Sequence, residues 1–467
     1  MVQWADFDWS APMYLSADEA ILSRAVASAE NALPNPANAY SRFPGISSFA
    51  TLSGSRTFLA EWNGDLYAAT DDGRVYRISR DGDARDITGV PLAGGKRVMF
   101  EAGEDRLLMA AGGPIIEVLG GTTQRLASAA PETTHVAYID SYLLAIERWS
   151  NRFQHSPPGV PTTWNSIDVF SANAKAAPIT AMLVTPYREL LLAGPKHIEQ
   201  FERLPNGDQP FSRRWTTGQG VLYPYTLVAD ETGTYGVNGK HEFVRFAGQV
   251  SQDHGEAVGL LLASIDDWTD AWAQSLSIDG EPGIVLQAPF ATNAYGTQGV
   301  TLHLQLRGKR WSFLYGWDSA AAVPARYPAW SFVQAWGRTF VGVPGAIGVL
   351  DRNAFDNLGE IAPFVIRSGH VDKFGPSRID DVRIRIKRGV GSRTSDRAPL
   401  IGLRVNRDNE GFDQWNWEPL GVQGDGMMIV HFGPQGCANT WQFEIRVTDP
   451  VAVEFVSMQI HVERLSW

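Results

Sequence analysis

The stretch GDLYAATDDGRVYRI, residues 64–78, is an apolar run, a polar turn and a second run whose apolar residues alternate. Successive strand side chains point to opposite faces, so a run apolar at nearly every position is a strand buried on both sides. Near copies follow: DRLLMAAGGPIIEVL from 105, SYLLAIERWSNRFQHS from 141, RELLLAGPKHIEQFERL from 188, GTYGVNGKHEFVRFAG from 233, PGIVLQAP with GVTLHLQL from 282, and RTFVGVPGAIGVLDRN from 338. Their starts lie about 36 to 56 residues apart, close to the length of a four-stranded blade. One such hairpin cannot cover both of its faces, whereas blades stacked around an axis bury both and leave only short edges. The expected fold is therefore all-β, a β-propeller over residues 51–357. Seven blades are favoured, six are the alternative, and a multi-sheet sandwich is the competing architecture.

The rest of the chain agrees with an all-β reading. Among 467 residues there are 46 glycines, 27 prolines and 16 tryptophans, a composition of many short strands and tight turns. The net charge of −11 argues against an open basic face that grips nucleic acid, though an acidic wall would let a duplex slide past. The single cysteine, Cys437, excludes an intramolecular disulfide and reads as a small packed side chain. The N-terminal residues carry two aspartates and no apolar run of signal-peptide length, and no stretch approaches the ~18 apolar residues of a membrane helix. A cytoplasm-made protein with no membrane span is expected.

Three segments flank or interrupt the repeats. Residues 1–50 read as an N-terminal extended arm with one short helix over SADEAILSRAVASAEN, residues 16–31, capped by Ser16 with Glu19 three residues on. The prolines of NALPNPANAYSRFPG stop it, and such an arm would order on a partner. Within the repeats, SIDDWTDAWAQSLS (264–277) spaces Ile265, Trp268, Trp272 and Leu276 at three-to-four intervals, which predicts an amphipathic helix. Residues 358–467 alternate strictly between turn signals and predict a C-terminal β-sandwich. There Arg383, Arg385 and Lys387 share one strand face, joined by Arg404 if the strands are neighbours. This is a candidate docking face for an acidic partner, against the plainer reading of a solvated sheet.

No spacing announces catalysis. A nucleophile elbow, a zinc-protease helix, paired cysteines and a phosphate loop are all missing from the sequence. His197 and Glu199 share a strand face but are too few for a metal site, and His241 and Glu242 point apart. SRDGDARD (79–86) reads as a hairpin turn rather than a calcium loop. LRVNRDNEGFDQWNWEPLG (403–421) is like an Asp box, the turn that recurs in sialidases, through Asn406, Asp408, Gly411 and Trp415. It occurs once, outside the repeats, with extra residues before the tryptophan. The expectation is a structural turn, with Asp408 bonded to amides of its own loop and Trp415 packed beneath. No catalytic residue, metal or cofactor is expected. Glycan- or receptor-binding by the propeller, with Trp149, Trp164, Trp215 and Trp336 as stacking platforms, is an alternative. A carbohydrate-active enzyme is a further one, which would need paired carboxylates on the propeller axis.

Taken together, YSRFPGI (40–46), GPKHIEQFERL (194–204), GKRWSFLYGWDS (308–319) and the C-terminal run SGHVDKFGPSRIDDVRIRIKRGVG…PLIGLRVNRDNEGFDQW…TDPV resemble the tail hub, or nozzle, proteins of short-tailed phages. These are also called packaged-DNA stabilisation proteins. Gly389–Gly391, Pro399, Leu403–Arg404, Asp408, Gly411, Trp415 and Asp449–Val451 stand at that family's characteristic positions. Asn406 replaces the usual serine, and NEG replaces a tighter GG. The resemblance covers nearly the whole chain and implies a non-enzymatic structural protein of the virion tail, assembled in the host cytoplasm. It would form a homo-oligomeric ring of six copies below the portal–adaptor complex, continue the DNA channel, retain packaged DNA without sequence-specific contacts and anchor other tail proteins.

Overall fold

The computed structural model describes residues 2–7, 9, 13–15, 26–34, 40–103, 105–204, 210–388, 398–421 and 427–465. It is an all-β protein, a β-propeller joined to a β-sandwich. Among the described residues no helix is long and apolar enough to cross a membrane.

Each of the seven repeats forms the second and third strands of a run of four antiparallel strands. In the first blade, Asp65–Thr70 and Val75–Ile78 are flanked by Thr57–Trp62 on the axis side and Ala84–Asp86 outside. SRDGDARD supplies its outer turn, closed by the Ser79 amide donating to the Asp83 carbonyl. The last blade takes its inner three strands from Ser331–Ala335, Arg338–Val343 and Ala346–Asp351. Its fourth is Gly45–Thr51, from the beginning of the chain. The two ends of the propeller segment are thus joined by strand hydrogen bonds.

The core explains why the repeats look as they do. In Leu107–Ala110, Leu107 and Met109 pack with Tyr67, Ala69 and Val75 of the preceding blade. Leu108 and Ala110 pack with Val136, Leu143 and Ala145 of the following one. Comparable clusters fill every seam between successive blades, and the one holding Ala50, Leu59, Leu66, Phe340 and Ile347 closes the circle. A middle strand must be apolar on both faces because each face belongs to a different seam.

The segment 264–277 departs from the expected helix. A helix does form just upstream, at Gly259–Ser264, but Trp272–Ser275 is the innermost strand of the sixth blade. Ile265 and Trp268 enter the seam with the fifth blade, while Trp272 and Leu276 enter the seam with the seventh. Large side chains divided between two cores produce a spacing that imitates a helix.

The arm is also not an arm over its described part. The predicted helix falls mostly on residues outside the described ones, but its end, Val26–Glu30, is a strand. The sandwich builds one sheet from Val2–Phe7, Ala32–Pro34, Tyr40–Arg42, Ser377–Arg388, Met427–Phe432, Gly436–Ala438 and Val453–Arg464. The other contains Val26–Glu30, Phe364–Ser368, Trp441–Val447, Leu400–Arg407 and Asn416–Pro419, in that order. A single bridge, Glu30 to Phe313, continues this second sheet into the sixth blade. Trp9, Val26, Ala29 and Tyr40 share the sandwich core with Ile384, Phe443 and Ile460. Apolar residues placed by alternation fill the space between the sheets, so the early segments supply strands that residues 358–467 alone would lack. Cys437, expected to be packed, is exposed on a short edge strand.

Candidate functional site

The propeller axis is the first place to look, because residues on the innermost strands converge there. At the end where the chain enters those strands, the axis is closed. Arg97, leading into the second blade, donates to the Trp330 carbonyl of the seventh at 2.9 Å. Its guanidinium also lies over Trp272 of the sixth blade and Phe58 of the first, at 4.6 and 5.3 Å. A side chain that reaches blades on the far side of the circle must cross the axis. His135, before the third blade, stacks on Tyr225, before the fifth, with ring centroids 5.3 Å apart. Arg56 and Asp270 pair at 2.6 Å between the first and sixth. Burial lowers Arg97 to about 10 and His135 to about 4. The plug is buried and held by cation–aromatic contacts.

Side chains also tie neighbouring innermost strands to one another, satisfying edge groups that no strand pairs. Ser331 Oγ donates to the Thr57 carbonyl and accepts the Leu59 amide. Gln274 donates to the Phe332 carbonyl and accepts its amide. Glu101, in Met99–Ala102, accepts the Tyr138 amide at 2.9 Å. Burial pushes the Glu101 carboxyl up to about 7, against the lowering effect of that bond. A carboxyl whose folded pKa exceeds its unfolded value stabilises the fold when protonated. That contribution is lost as pH rises from about 4.5 through about 7. Glu101→Gln is therefore expected to lose less stability than the native chain between pH 5 and pH 8. The gap at pH 8 should be on the order of 2 kcal/mol in the variant's favour. Melting curves at both pH values check this; equal offsets at the two would refute it.

At the other end, a depression of about 700 Å³ is lined by Pro186, Asp230, Thr232, Gln274, Gln334 and Thr339. Asp230 is already committed, accepting the Thr232 and Gly233 amides and the Thr232 hydroxyl. His197 and Glu199, the strand-face pair, are both buried in the fourth blade and lie 3.2 Å apart. Burial alone would raise the Glu199 carboxyl. Bonds from His197, the Ala174 amide and Arg213 outweigh it and hold the group below its ordinary value. This cluster ties a loop to a blade. Of the four tryptophans considered as platforms, Trp164 is buried and donates to the Pro161 carbonyl. Trp215 and Trp336 are half-buried against their blades, and Trp149 stands 87% exposed.

The box-like turn is structural, with different partners from those expected. Asp408, at φ 50°, accepts the amides of Asn439 and Thr440 at 2.8 and 2.9 Å, groups on a neighbouring turn rather than its own loop. Asn406 closes the loop itself by accepting the Gly411 amide at 3.0 Å, with Gly411 at φ 103°. Asp408→Ala is expected to cost about 1 kcal/mol, read as a shift in the urea midpoint; an unchanged midpoint would show the two turns hold without it. Trp415 does not pack beneath the turn. It lies half-buried on the outer face of the second sandwich sheet, 5.3 Å from Trp417, with the Arg404 guanidinium 4.6 Å from its ring.

Arg404 is accordingly not part of the expected basic face. Arg383 and Arg385 project outward from Ser377–Arg388, whose partners are the strands at 427–432, 436–438 and 453–464. Arg404 sits in the other sheet, between Asn416–Pro419 and Trp441–Val447. Arg383 is covered by Trp4 at 3.7 Å and faces Asp381 at 3.4 Å, with His431 on the same carboxylate. The Lys387 side chain and Gly389–Gly391 lie outside the described residues. Sequence spacing placed Arg383 and Arg385 correctly on one face; which strand lay beside them was a tertiary matter.

No protein-family model matches the chain, and no curated protein matches it. Among solved structures, it is similar to virginiamycin B lyase from Staphylococcus aureus (9% identity, 64% of this chain and 96% of that one, TM-score 0.40). It is likewise similar to the WD40 β-propeller domain of Doa1 (14% identity, 65% and 96%, TM-score 0.39) and to the computationally designed Ika8 protein (10% identity, 65% and 99%, TM-score 0.36).

Proposed function

We propose that this chain is a non-catalytic structural protein of a short-tailed phage tail, a hub or nozzle subunit. Copies of it form a ring below the portal–adaptor complex, retain packaged DNA and anchor other tail proteins. The observation that carries the reading is where the motifs of the resemblance meet. Arg42, from YSRFPGI, donates to the carbonyls of Val447 and Asp449, the latter in TDPV, both at 2.7 Å. The Asp449 carboxylate accepts the amide of Leu400, next to Pro399, at 2.7 Å. Gly45 approaches the Asp356 and Ala354 carbonyls so closely that a Cβ would overlap both. Short motifs hundreds of residues apart gain meaning when they form one joint, here the one between propeller and sandwich.

In this reading the duplex runs between subunits, because Arg97 and its neighbours close the end of the propeller's own axis. The acidic balance of the chain suits a wall that DNA slides past. The test is light scattering and negative-stain imaging of the purified protein, alone and mixed with a portal–adaptor complex. A ring with a hole wide enough for a duplex, or capture onto the complex, is the expected result. A monomer that ignores the complex at micromolar concentration would sink the reading.

A further inference from the structure

The outer face of the second sandwich sheet carries a two-row grid set by strand register. One row is Arg367, Glu444 and Arg404. The next is Glu30, Val365, Arg446, Gly402 and Trp417, with the Glu30 carboxylate at its far end taken by the Tyr295 hydroxyl. In the first row two guanidinia share one carboxylate: Glu444, 3% exposed, takes Arg367 at 2.5 Å and Arg404 at 2.8 Å. In the second row Arg446 has only valine and glycine beside it. Among the described residues no carboxylate pairs with it, and its buried Nε has no acceptor.

Gly402 shapes what lies above this row. A Cβ there would meet both Trp415 and Trp417 at 2.8 Å, so the two indoles rest over the vacant position. Their planes are 30° apart, and Trp417 remains 38% exposed. The Arg446 guanidinium lies 5.8 Å from the Trp415 ring. The result is an aromatic shelf with one unpaired cation at its side, Trp417 standing on the edge strand and Trp415 on the residue that leads into it.

We propose that Trp415, Trp417 and Arg446 bind an acidic polysaccharide, the indoles stacking on a pyranose ring and Arg446 taking that ring's carboxylate. A shelf suits the flat face of a ring, whereas a protein partner's anchoring side chain needs a pocket to fill. One free cation matches one carboxylate per sugar. Single-stranded nucleic acid needs a basic groove along its backbone, which a chain of net charge −11 with its neighbouring guanidinia turned onto Glu444 does not offer. The proposal stands apart from the tail-hub reading.

The test is affinity electrophoresis and calorimetry of the full chain with polygalacturonate, polysialic acid, neutral dextran and oligothymidylate. Binding to at least one acidic polysaccharide and not to dextran is expected. W417A and R446Q should each weaken it about tenfold or more, R446K less than R446Q, with melting temperatures of the folded variants unchanged. Trp417 is exposed, so W417A stays informative should R446Q misfold. No retention by either acidic polymer, equal retention by dextran, binding that survives both substitutions, or tighter binding of oligothymidylate through the same residues would each overturn the proposal.

Discussion

Replacing Arg42 with methionine is expected to lower the unfolding free energy by about 3–5 kcal/mol, because its guanidinium is the donor to several backbone carbonyls at the joint. The Arg42 side chain is buried, and burial pulls its pKa down to about 10 against the opposing effect of Asp449. It donates to Val447 and Asp449 at 2.7 Å and reaches the Phe355 carbonyl at 3.5 Å. Methionine fills much of the volume but donates nothing. Buried carbonyls left without donors cost about 1–3 kcal/mol each. Lysine restores the charge without the fork that reaches two carbonyls at once, and should recover less than half of the loss. Urea unfolding followed by hydrogen exchange at Val447 and Leu400 is the measurement. A loss below about 1 kcal/mol would mean that water replaces the guanidinium, and that the joint does not depend on it.

Gly342→Ala is expected to cost about 3 kcal/mol, at the upper end for overpacking a close-packed site. Gly342 lies in Arg338–Val343 of the last blade, facing the first. A Cβ there would stand 2.1 Å from the Thr57 carbonyl oxygen and 2.6 Å from Ser331 Oγ. Ser331 is the group that bonds both Thr57 and Leu59, so the methyl displaces the tie as well as the backbone. This is the seam where the circle closes, and amide exchange should quicken selectively in Gly45–Thr51 and Thr57–Trp62. Gly259→Ala is the control: φ is −57°, ψ is −41° and nothing lies within 4 Å, so the substitution should be neutral or slightly stabilising. Similar losses for both would show that the seam is no tighter than an open helix position.

Much of the fold was legible because it is local. Leu107–Ala110 and Leu190–Gly194 are short and apolar at consecutive positions, and only a strand covered on both faces needs that pattern. The hairpins Asp65–Ile78 and Arg338–Asp351 announce themselves by a turn between two such runs. The C-terminal strands were equally clear, since Val382–Ile386 and Met458–Val462 alternate between core and solvent, although the irregularities that precede these runs were not foreseen. The Asp408 turn was recognisable as a turn from its composition alone, although its hydrogen-bond partners were not.

What the sequence by itself determined about this protein is its β character, its repeat and the facing of residues within the strands that alternate regularly. These follow from the alternation of side chains along a backbone, a rule that acts over a few residues. Only the tertiary structure decided that Val2–Phe7 and Val26–Glu30 belong to the sandwich, and that Gly45–Thr51 completes the last blade. It likewise decided that Arg404 stands beside Glu444 and Trp415 rather than beside Arg383. The same holds for Trp272, which mimicked a helix position because the large side chains of one segment are divided between two cores. Pairing between segments hundreds of residues apart leaves no period in the chain: it is chosen by which apolar faces remain uncovered once every local element has formed.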